Sequence, residues 1–71
     1  MVPTEPGYYK IKICYEFATV WEIAKVFKNY HDTLFFVLFG NNDFWEVHTK
    51  HLDSDVYISK TYVEEWGEKV L

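Results

Sequence analysis

The sequence predicts a mainly β protein, a small antiparallel sheet or open barrel of about five strands with room for one short helix. Two observations lead to this. Residues Tyr8 to Ile13 alternate cleanly between apolar and polar positions, and two apolar segments flank Gly40-Asn41-Asn42-Asp43 as the arms of a hairpin. The composition agrees: 49% of the 71 residues are hydrophobic and 21% are aromatic. A chain of this length makes one domain, residues 1–71, near the size at which a single core only just offsets chain entropy. Large rings make such a core workable, because each buries ~150–250 Å².

Residues 1–7 carry Pro3, Pro6 and Gly7 ahead of any periodic segment, which reads as an extended N-terminal arm ending in a turn. In the strand that follows, Tyr9, Ile11 and Ile13 share one face and Tyr8, Lys10 and Lys12 the other. Phe17 to Phe27 fits two periods. Phe17, Val20, Trp21, Ala24 and Phe27 are spaced as a helix stripe, whereas Trp21, Ile23, Lys25 and Phe27 also alternate against Val20, Glu22, Ala24 and Val26. Its β-branched and aromatic content, and the poor cap that Thr19 would make inside the stripe, favour the strand.

Leu34 to Val47 is the predicted hairpin. With Asn41-Asn42 as the central pair of a tight turn, Phe39 faces Phe44 and Leu38 faces Trp45. Phe36, Leu38, Trp45 and Val47 then form a wholly apolar face, and Phe35, Val37, Phe39, Phe44, Glu46 and His48 the other. Leu52-Asp53-Ser54-Asp55 reads as a turn and Val56 to Ser59 as a short strand or single helical turn. Thr61 to Leu71 supports a helix capped by Thr61 or a closing strand, with the strand favoured although Trp66-Gly67 interrupts it.

The chemistry the chain lacks is equally informative. There are seven lysines, no arginine and a formal charge of −4, which disfavours nucleic acid and anionic membrane as partners. Cys14 stands alone, so no intrachain disulfide forms and a reducing cytoplasm is the expected setting. No window approaches the ~18 apolar residues of a bilayer span. His48 and His51 with Asp53 or His31 have metal-ligating atoms, but two-residue spacing on an extended chain sends the imidazoles to opposite faces. Cys14 has only Lys12 as a cationic neighbour in sequence and no oxyanion loop. The acid pairs Asp53/Asp55 and Glu64/Glu65 lack a cleft that would keep one carboxyl dry. Gly7, Gly40 and Gly67 are isolated, so no loop cradles phosphate. The expectation is a protein that is no enzyme, with no cofactor or metal.

The second hairpin face remains. A contiguous apolar patch is covered by the same chain or by a partner, and the partner-binding set read here is Phe35, Val37, Phe39, Asp43, Phe44, Trp45 and Glu46. Aromatic anchors ringed by acids suit a protein partner with a basic surface, or a second copy in a homodimer. Two other readings stay open. A small β-barrel could bind single-stranded nucleic acid through Tyr8, Lys10 and Lys12, and an oligomer could form a pocket between subunits that holds a small ligand such as a nucleotide.

Pro6-Gly7-Tyr8-Tyr9-Lys10-Ile11-Lys12, then Trp21-Glu22-Ile23-Ala24, an aromatic strand, and a closing Val63-Glu64-Glu65-Trp66-Gly67 together resemble small phage and prophage proteins that begin P-x-P-G-x-Y-x-V-K. The resemblance covers most of the chain. It implies a compact, mainly antiparallel β protein of the phage accessory class and carries over no catalytic residues; joined to the apolar patch, the expectation is a module that binds and inhibits or modulates a host protein in the host cytoplasm. The first connection, Cys14 to Thr19, is longer here than in that pattern.

Overall fold

The computed structural model describes residues 1–39, 43–52 and 61–71. Five antiparallel strands, β1 (Gly7–Cys14), β2 (Thr19–Lys28), β3 (Leu34–Leu38), β4 (Phe44–Glu46) and β5 (Tyr62–Lys69), form one open sheet in the order β4-β3-β2-β1-β5. The first four strands make a meander, and β5 returns to the free side of β1. No helix occurs among the described residues, and none is long and apolar enough to cross a membrane.

β1 and β2 pair along their full lengths, from Gly7 opposite Val26 to Cys14 opposite Thr19. The short connection between them is closed by the Tyr15 N–H donating to the Ala18 carbonyl at 2.7 Å, so the longer first connection does not prevent the hairpin. The two periods of Phe17 to Phe27 resolve to a strand because β2 has hydrogen-bonded neighbours on both sides, β1 and β3. Asn29 then turns the chain. Its side-chain carbonyl accepts from the His31 and Thr33 N–H groups at 2.9 Å each, and Asp32 takes a positive φ of 64°, a conformation that Asp tolerates better than most residues.

The β3–β4 hairpin forms in a register two residues away from the predicted one. Val37 faces Phe44 and Phe36 faces Trp45, in place of Phe39 with Phe44 and Leu38 with Trp45. In this register Phe44 lies edge-on to both Phe35 (5.5 Å between centroids) and Phe27 (6.1 Å), a gain added to the strand pairing that holds it. A shift of two leaves every side chain on its expected face. The predicted Asn41-Asn42 turn lies outside the described residues, as do Asp53 to Asp55 of the next turn and the Val56 to Ser59 segment.

β5 is a strand with two irregularities. Tyr9 pairs with Lys69 and Ile11 with Trp66, then Lys12 with Glu65 and Ile13 with Val63. Each time β5 carries one residue more than β1, the signature of a β-bulge. Val63 and Trp66, three apart in sequence, are thereby both buried.

The core occupies one face of the sheet. Tyr9, Ile11 and Ile13 meet Ala24 and Val26, Phe36 and Leu38, and Val63 and Trp66, with Val47 and Leu52 from the segment after β4. The Phe36 ring lies edge-on to Trp66 at 5.0 Å. The N-terminal arm, up to the glycine that opens β1, completes the cover: Val2 packs on the core, Pro3 is buried, and the Met1 ammonium donates to the Trp66 carbonyl at 3.3 Å. The Tyr9 hydroxyl donates to the Glu5 carbonyl at 2.8 Å, tying the arm to β1.

Candidate protein-interaction face

The opposite face of the sheet is built by the other half of each alternation. The strand pairings lay it out in rows. Phe27, Phe35 and Glu46 form one, followed by Tyr8, Lys25, Val37 and Phe44, then Lys10 and Ile23, and finally Glu65, Lys12 and Trp21. Two aromatic groups stand on this grid. At the β2–β4 side, Phe27 stacks on Phe35 at 6.0 Å and Phe44 closes the triad edge-on to both. Beside it, Tyr8 and Phe39 stack at 6.3 Å with planes 11° apart, reaching toward each other across β2. Such pairs hold rings in place beyond what burial alone contributes.

These rings are ordered by one another and still meet solvent: Phe39 is 69% exposed and Phe44 60%. Of the residues read from sequence, Phe35, Val37, Phe39, Phe44 and Glu46 come together on this face, and Asp43 is exposed at the base of the β3–β4 tip. Trp45 does not join them. Its ring lies on the core side against Phe36 at 5.6 Å, where it is half-buried. Phe27, Tyr8 and Trp21 share the face with them and stand outside the protein-binding set read from the sequence, Tyr8 having a place there only in the nucleic-acid reading. Their alternation is visible in the sequence, but which strands would stand beside them is not.

Trp21 stands apart from both groups, 51% exposed on the β1–β5 side. The Lys12 ammonium sits 5.8 Å from its ring centre, within reach of a cation–π attraction. The indole also extends over Gly67: a Cβ there would come within 3.0 Å of Trp21 Cζ3 and of Lys10 Cβ. Lys10, Trp21, Glu22, Ile23, Gly67 and Glu68 line an open groove of about 570 Å³. Gly67→Ala is therefore expected to push the indole off its seat while costing less than about 1 kcal/mol, since an exposed side chain gives way. The test is the Trp21 indole N–H resonance, which moves while that of Trp45 stays.

The electrostatics of this side explain how an acidic chain carries lysines. Lys10 pairs with Glu68 at 3.5 Å, and Lys12 with Glu64 at 3.4 Å and Glu65 at 3.9 Å. Tyr8, Lys10 and Lys12 do share a face, as a stacking platform requires, but both lysines already have carboxylates beside them. Phosphate would have to displace those acids.

Elsewhere the reactive groups are held locally. The Cys14 thiol faces the Tyr15 carbonyl at 3.6 Å, and the Tyr15 hydroxyl donates to the Glu22 carboxylate. The Tyr62 hydroxyl is raised above its ordinary 10.0, first by its hydrogen bond to Cys14, then by negative charge there, burial and Glu64. His31, His48 and His51 are exposed, with His31 against the Tyr30 ring at 4.2 Å. Among the described residues no three His, Cys, Asp or Glu side chains group as metal ligands. No protein-family model, curated protein or solved structure matches the chain, so the surface itself has to speak for the function.

Proposed function

We propose that this protein is a non-catalytic protein-binding module whose interface is the outer face of the sheet, centred on the phenylalanine rings of β2 to β4. One observation carries the reading. Phe39 and Phe44 are solvent-exposed yet fixed by stacked and edge-on neighbours, so they lose little freedom on binding, as aromatic anchors at interface centres do. Glu46 and Asp43 at the rim favour a partner with basic side chains around an apolar centre. The resemblance to phage accessory proteins supports a host cytoplasm as the setting, where the module inhibits or modulates a host protein by occupying its surface.

The test is Phe39→Ser with Phe44→Ser. Both side chains are mostly in water, so the double variant is expected to keep its far-UV spectrum and to lose partner capture by at least about tenfold. Unfolding of the variant would instead show the rings to be structural, and undiminished capture would move the interface elsewhere.

A further inference from the structure

We infer that the outer face is self-complementary and that its occupant is a second copy of this chain, joined about a two-fold axis over Phe35 and Val37. The inference rests on the proposed protein-binding role of this face and gives the face its occupant in the free protein, which a host protein would have to displace. Its carrying observation is a pair of opposite charges that nothing among the described residues balances. Every lysine of β1 and β5 has a carboxylate within 4 Å: Lys10, Lys12 and Lys69 pair with Glu68, Glu64 and Glu65, and Glu5. Among the described residues Lys25 has none, although it sits on the outer face between Tyr8 and Val37. Glu46 has no ammonium there either, and it sits on the same face beside Phe35.

Their placement is what makes the face fit itself. Lys25 lies one strand to one side of β3, level with Val37, and Glu46 lies one strand to the other side, level with Phe35. The line joining them crosses β3 midway between Phe35 and Val37. A two-fold axis in the plane of contact at that point, perpendicular to the line, sets Lys25 of each copy over Glu46 of the other. An isologous interface has this property, that each contact occurs twice. The same operation lays the Phe44 ring of one copy near Val37 and Phe39 of the other, so the exposed rings cover one another. Trp21 and its groove lie two rows beyond Lys25 and remain open in the dimer.

The experiment is sedimentation velocity with light scattering on the full chain, across concentrations up to about 200 μM. The wild type is expected to be a dimer at the upper end, and a wild type that stays monomeric overturns the inference. Lys25→Glu and Glu46→Lys are each expected to weaken self-association more than tenfold, because each sets like charges together twice. Mixed in equal amounts, the two variants are expected to form a heterodimer, since position 25 of each variant then faces an opposite charge at position 46 of the other. Carrying both changes in one chain should restore the homodimer. Variants that dimerise as the wild type does, or a mixture no more associated than its parts, would overturn this geometry. Should either reversal disturb the far-UV spectrum, Lys25→Gln and Glu46→Gln serve instead, with a several-fold weakening expected and no change counting against the axis. A monomeric wild type whose capture of another protein still depends on Phe39 and Phe44 would sink the dimer and leave the binding face standing.

Discussion

Phe36→Ala is expected to remove about half of the chain's stability at 25 °C. Phe36 is fully buried on β3, an interior strand, with Trp45 on one side and Trp66 edge-on at 5.0 Å. Removing the ring loses its transfer energy and leaves a cavity between two indoles that strand pairing holds apart, at a cost of about 3–5 kcal/mol. A domain of this length has only about 4–10 kcal/mol in total. Among the described residues the core has no second layer to absorb the loss, since one sheet face, the arm and the segment after β4 supply all its members. Urea unfolding followed by tryptophan fluorescence measures it. A stability within about 1 kcal/mol of the wild type would mean that the indoles collapse into the space and that the packing is far softer than the ring contacts indicate.

The second large effect belongs to Gly7, where β1 begins. Its φ is +151°, and a Cβ there would fall 2.5 Å from Lys69 Cε and 2.8 Å from the Leu71 carbonyl oxygen. Lys69 can swing away, but the Leu71 carbonyl is held in the ladder. It accepts from the Tyr8 N–H at 2.9 Å, while the Val70 N–H donates to the Tyr8 carbonyl at 2.7 Å. Gly7→Ala therefore combines a backbone conformation that L-residues avoid with a contact that parts these strands, and is expected to cost about 2–3 kcal/mol. Hydrogen exchange locates it: the Tyr8 and Val70 amides should lose protection beyond the global change, and the amide of Phe36 should follow global stability alone. Equal losses at all three would place the damage in the core.

The sequence reveals β1 plainly because its polar face is wet and its apolar face is not, so period two survives intact. β2 fits both helix and strand periods, its β-branched and aromatic content favours the strand, and the pairing partners Tyr9 opposite Ala24 and Phe36 opposite Val26 secure it. The β3–β4 register fails for a related reason. Asn-Asn chemistry favours a tight turn locally, whereas the register found places Phe44 against Phe27, a full strand earlier in the chain, a contact that local turn chemistry does not contain. β5 hides its alternation behind two bulges. The candidate face is legible wherever one hairpin supplies it, as with Phe35, Val37, Phe39 and Phe44. It becomes illegible where strand order completes it, as with Phe27, Tyr8 and Trp21. Trp45 shows the converse, an aromatic at a hairpin arm whose parity sends it to the core.

The bulges of β5 also bear on how the molecule meets its own kind. β4 and β5 are the two margins of the sheet, the places where a neighbouring chain adds a strand and growth runs on without end. β4 offers three residues, too few for a lasting ladder. β5 is longer, but its irregular spacing breaks any even row of donors and acceptors, and Glu64, Glu65 and Glu68 stand along it. A sheet that is blunted at both margins leaves its outer face as the place for the proposed contact, and a face-to-face pairing closes after one partner where an edge pairing would run on into fibres.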